Sequence, residues 1–107
     1  MLHMEKWFPA DSMTIMIVDD TKENINVLRR TLTTVGCRIS VALNGKMALD
    51  LIPKLKPDLV LLDVMMPDMD GYEVCRRLKE NPDLQNIPVI FITAKGDIED
   101  VVEGFEA

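Results

Sequence analysis

Four polar residues close runs that are otherwise apolar. Asp19 and Asp20 follow Ile15-Met16-Ile17-Val18, Asp63 follows Val60-Leu61-Leu62, and Thr93 follows Val89-Ile90-Phe91-Ile92. A carboxylate at the end of a buried run needs a partner or a purpose. Carboxylates brought together repel, so one takes up a proton or a cation neutralises them. Hard oxygen ligands with open water positions suit Mg²⁺, which keeps several waters and uses few protein carboxylates. Such an ion also neutralises charge on an incoming phosphoryl group. Asp63 as a carboxylate nucleophile would then form an acyl phosphate. The Thr93 hydroxyl could hydrogen-bond a phosphoryl oxygen, and small Ala94 beside it leaves access. Each residue alone has a plainer role. Asp19 or Asp20 would cap a helix, Thr93 would sit in a turn, and Asp63 would bind backbone amides. Only joint placement at strand ends favours a site.

The elements that must position them can be read in order. Ile15–Val18 is a short, mostly β-branched run that predicts a buried parallel strand. Thr21 or Asp20 is expected to cap the next helix, with Glu23 in its first turn. Ile25, Leu28, Leu32 and Val35 recur at helical spacing, and Gly36 closes that helix. Residues 37–42 alternate apolar and polar, as an edge strand does. Asn44-Gly45 is a turn, and Met47, Ala48, Leu51, Ile52 and Leu55 mark a second helix that Pro53 is expected to end early or kink. Lys56-Pro57 leads into a third strand over 58–63. A third helix spans Tyr72 to about Glu80 with Val74, Cys75 and Leu78 inward. Pro88–Thr93 reads as a fourth strand, and a fourth helix starts near Asp97. Alternation of this kind implies right-handed crossovers and an α/β, doubly wound parallel sheet, with all carboxyl ends on one rim.

Composition bounds the functions available. The 107 residues suffice for one small domain, and a net charge of −6 argues against direct nucleic-acid or anionic-membrane contact. No apolar run reaches the length of a membrane span, and residues 1–13 read as an extension or linker without signal-peptide character. Cys37 and Cys75 form no CxxC pair and fit a reducing cytoplasm. Asp68-Met69-Asp70-Gly71 resembles part of a calcium loop, but Met66 and Arg77 occupy its first and last ligand positions. Arg29-Arg30 and Arg76-Arg77-Lys79 read as solvated charge.

Val18-Asp19-Asp20, Asn44-Gly45 with Ala48-Leu49, the run from Pro57 through Asp63 and Pro67 to Gly71, and Pro88 through Thr93-Ala94 closely resemble the receiver domain of two-component response regulators. The resemblance covers residues 14–107. It implies a flavodoxin-like fold with strand order 2-1-3-4-5, and a regulatory phosphoacceptor domain rather than an enzyme acting on other molecules. It implies that Asp63 is the phosphoacceptor, charged by a histidine kinase or phosphotransfer protein. Asp20 would bind Mg²⁺ directly, Asp19 at least through water, and Met65 through its backbone carbonyl. Pro67 and Gly71 would shape the loop, and Thr93 would be the switch hydroxyl.

Family members continue into a fifth strand, ending in a Lys, and a fifth helix. The sequence stops at Ala107, so both elements are expected to be absent and the fourth strand to form a bare edge. Such an edge is a template for pairing, which predicts a homodimer or a segment-swapped dimer. The alternative reading is a receiver-fold interaction or dimerisation module that does not switch because the family Lys is missing.

Overall fold

A computed structural model describes residues 13–92. Four strands alternate with three helices: β1 (Thr14–Val18), α1 (Lys22–Thr33), β2 (Arg38–Ala42), α2 (Gly45–Leu55), β3 (Leu59–Asp63), α3 (Gly71–Lys79) and β4 (Val89–Ile92). All strands are parallel, in the order β2-β1-β3-β4. This is the flavodoxin-like arrangement, and β2 lies at an edge as its alternating sequence predicts.

Strand periodicity sorts the core into two layers. Met16, Val18, Val60, Leu62, Val89 and Phe91 point to one face and pack with Ala48 and Ile52 of α2 and Val74 and Leu78 of α3. Ile15, Ile17, Leu61 and Ile92 point to the other face, where Ile25 of α1 covers them. The central strands β1 and β3 are buried on both sides, which explains their unbroken apolar runs. Register brings Val18 beside both Ala42 and Leu62, and Asp63 beside Ile92. The carboxyl ends of the four strands therefore share one rim.

Several local expectations are corrected. α2 continues through Pro53 to Leu55. Pro53 stands in its last turn, where it forfeits only the bond to the Leu49 carbonyl. Lys56, at φ 46°, closes the helix by donating its N–H to Ile52 O at 2.7 Å. Met47 and Leu55 are exposed, whereas Ala48 and Ile52 are buried in the core and Leu51, with Leu49, packs against it. Lys79 is not simply solvated. Its Nζ donates to the Gln85 carbonyl at 2.9 Å, tying α3 to the turn before β4. α1 stops at Thr33, and Gly36 completes the turn at φ 88°. The expectations for residues 1–12, Thr93 and the helix near Asp97 lie outside the described residues.

Candidate functional site

Asp19, directly after β1, is buried, and so is Asp63 at the end of β3, whereas the adjoining Asp20 is exposed. Each offers a carboxylate oxygen, and these oxygens lie within 4.8 Å of one another. Convergence follows from topology: β1 and β3 are neighbours in register, so residues just past their ends must meet.

Backbone and side-chain donors fix the two buried carboxylates. Asp19 Oδ1 accepts the Thr21 N–H at 2.8 Å, and its Oδ2 accepts from Asn24 Nδ2 at 3.3 Å. This corrects the capping expectation. Thr21 is the N-cap of α1 but makes no side-chain cap bond, and the Asp19 carboxylate bonds the Thr21 amide. Asp63 Oδ1 accepts the Met65 N–H at 3.1 Å. That bond restrains the rotation of the carboxylate through one oxygen and places Met65, itself exposed, next to the cluster.

The loop from β3 to α3 is built for close return. Asp68 adopts a left-handed φ of 70°, which Asp tolerates better than most residues. The Met69 N–H bonds Pro67 O at 2.7 Å, and the Gly71 N–H bonds Val64 O at 3.0 Å. A Cβ on Gly71 would overlap the Asp63 carbonyl oxygen and come within 3.0 Å of Val64 Cα. Glycine therefore lets the start of α3 press against the end of β3. Asp70 caps that helix by accepting the Glu73 N–H at 2.9 Å, so it is a structural group and not a calcium ligand.

Burial pushes the Asp63 carboxyl up from its ordinary 3.8 to about 6. The Met65 N–H opposes this, while the charges of Asp19 and Asp20 add to it. At neutral pH the group is mostly ionised inside an acidic cluster, a state that a cation relieves. The donor set fits Mg²⁺: three carboxylates, no thiol and no imidazole. Oxygens bound to one Mg²⁺ lie at most about 4.2 Å apart. A cluster spread over as much as 4.8 Å thus accommodates the ion when one carboxylate binds through water.

Asp19, Asp20 and Asp63 are brought together as expected from sequence. Thr93 lies outside the described residues; it follows Ile92, the register partner of Asp63. Two contributors were missed, the Met65 amide and the Asn24 side chain. The amide leaves no mark in side-chain patterns. Asn24 carries a weak signal, a polar residue in the first turn of α1 and next to inward-facing Ile25.

Comparison with known proteins bears on this arrangement. Residues 15–107 match the family described as Response regulator receiver domain. The response regulator PleD of Caulobacter vibrioides is 43% identical over 96 residues, which cover 90% of this chain and 21% of PleD. The chain spans about a fifth of the length of the first curated relatives it matches. The N-terminal domain of a response regulator receiver protein from Methanoculleus marisnigri superposes with a TM-score of 0.76 at 36% identity, covering 88% of this chain and 76% of that one. The response regulator TrrA of Thermotoga maritima, solved in complex with Mg(2+)-BeF, superposes with a TM-score of 0.71 at 32% identity, covering 77% of this chain and 70% of that one.

Proposed function

This chain belongs to the response regulator receiver domain family, and from that premise we propose that Asp63 accepts a phosphoryl group from a partner histidine kinase or phosphotransfer protein in the cytoplasm. The observation that carries the reading is the meeting of Asp19, Asp20 and Asp63 at one rim of the sheet. Asp20 would hold Mg²⁺ directly, Asp19 at least through water, and Asp63 and the Met65 carbonyl would complete the protein ligands. The ion, when bound, supplies positive charge against the negative oxygens of the phosphoryl group.

The remaining work belongs to the chain. Asp63, its rotation restrained by the Met65 N–H, directs an oxygen at phosphorus. A new O–P bond forms as the bond from phosphorus to the donor atom breaks, and the leaving group departs with that electron pair. Burial excludes water from the nucleophile's flanks, and Asp19 is kept in place by two donors. Thr93 serves as the switch hydroxyl that moves toward the phosphoryl group. The TrrA complex with Mg(2+)-BeF supports the same ion here, because the cluster supplies oxygen donors only.

The phosphoacceptor reading is tested by titrating the chain with beryllofluoride and Mg²⁺ together. Saturable binding by the wild type and none by Asp63→Asn is expected. Equal binding by both proteins contradicts it.

A further inference from the structure

We infer that Asn24 is a positioning residue for the metal site: its side-chain amide holds the Asp19 carboxylate in the orientation that Mg²⁺ requires. The inference rests on the Mg²⁺ reading above and extends it to a residue that touches neither the ion nor the phosphoryl group.

Asp19 and Asp20 are adjacent in sequence but are held differently. Asp20 is exposed and has water available to it. Asp19 is 1% exposed and can rely only on protein donors. Among the described residues it has two, and they act on different oxygens. The Thr21 N–H reaches Oδ1 and belongs to the backbone entering α1. Asn24 Nδ2 reaches Oδ2 from the first turn of that helix. The first bond alone restrains rotation about the Cβ–Cγ axis through one oxygen only. The second defines that torsion, because both oxygens are then tethered. A carboxylate that must meet an ion shared with Asp20 and Asp63 gains from a defined torsion, as outer-shell hydrogen bonds do for metal ligands generally.

Neutral Asn suits this place. A Lys or Arg would pair with Asp19 and compete with the cation. An Asp or Glu would add to a cluster already dense in negative charge. An amide donates to Oδ2 without altering the charge count. Asn24 is half-buried, so its bond to Asp19 is partly shielded from water.

The test measures Mg²⁺ affinity by calorimetric titration of the chain, and metal-free stability by urea unfolding, in wild type, Asn24→Leu and Asn24→Gln. Leu approximates the shape of Asn without its donor, and Gln restores a donor. Loss of an outer-shell partner of this kind weakens metal binding by about 10-fold or more. The expected result is therefore a rise of about tenfold in the Mg²⁺ dissociation constant for Asn24→Leu, together with a lower metal-free urea midpoint from the unsatisfied Asp19 oxygen, and substantial recovery of both in Asn24→Gln. Asn24→Ala is read in the same way if the Leu protein does not fold. Wild-type affinity in the donorless variants overturns the inference, and so does a loss that Gln fails to recover. Absence of Mg²⁺ binding by the wild type overturns the functional reading itself, and the two failures are thereby separated.

Discussion

The carboxylates of Asp19 and Asp63 share one acidic cluster although they belong to different strands, because β1 and β3 lie side by side in parallel register. Both are buried, and the Asp63 carboxyl is raised to about 6, first by burial and then, against the Met65 N–H, by its acidic neighbours. The folded protein therefore holds an ionised Asp63 less comfortably than the unfolded chain does.

That difference sets a pH dependence for the metal-free protein. Below about pH 4 both states carry the proton on Asp63, and its contribution to stability is fully present. As pH rises through about 6 the native state loses the proton, and the contribution is lost by an amount of roughly 2–3 kcal/mol. Asp63→Asn carries no such penalty. Urea unfolding in chelator should show the variant more stable than wild type at pH 7, with the gap closing toward pH 4. A gap independent of pH would contradict the electrostatic account.

Mg²⁺ binding must run the other way. Protonated Asp63 cannot serve as an anionic ligand, so binding displaces the proton. Affinity should be nearly flat above pH 7 and should weaken toward tenfold per pH unit below about 6. Titrations at pH 8, 6 and 5 in two buffers of different ionisation heat would also detect the released proton. Constant affinity across this range would exclude Asp63 as a ligand.

The β3–α3 return depends on an absent side chain. Gly71→Ala places a Cβ against the Asp63 carbonyl and Val64 Cα, both backbone atoms that cannot swing aside as a side chain would. Such overpacking costs about 1–3 kcal/mol, and here it also displaces the nucleophile. The expected outcome is a lower urea midpoint together with weaker Mg²⁺ binding. Wild-type values for both would contradict the close-packing argument.

The cap on α3 makes a contrasting case. Asp70→Ala removes the oxygen that accepts the Glu73 N–H and should cost about 1 kcal/mol in urea unfolding. Because Asp70 is outside the carboxylate cluster, Mg²⁺ affinity should change less than twofold. A large loss of affinity would return Asp70 to the candidate ligands.

Apolar runs at 15–18, 60–62 and 89–92 made the parallel sheet legible in sequence, because strands buried on both faces admit little else. The acidic residues that end two of those runs made the site legible for the same reason. Pro53 misled, since a rule for helix interiors was applied to a last turn. Lys79 misled because its carbonyl partners, Gln85 and Ile87, lie in a turn whose path no periodicity encodes. Asn24 and the Met65 amide stayed hidden because each acts through one hydrogen bond set by tertiary placement.

The most direct measurement asks which atom takes the phosphoryl group. The chain is incubated with acetyl phosphate and Mg²⁺, the acyl phosphate is reduced with borohydride, and the product is mapped by peptide mass spectrometry. The account predicts homoserine at position 63, dependent on Mg²⁺ and absent from Asp63→Asn. Modification at another carboxylate, or none in protein shown to bind Mg²⁺, would contradict it.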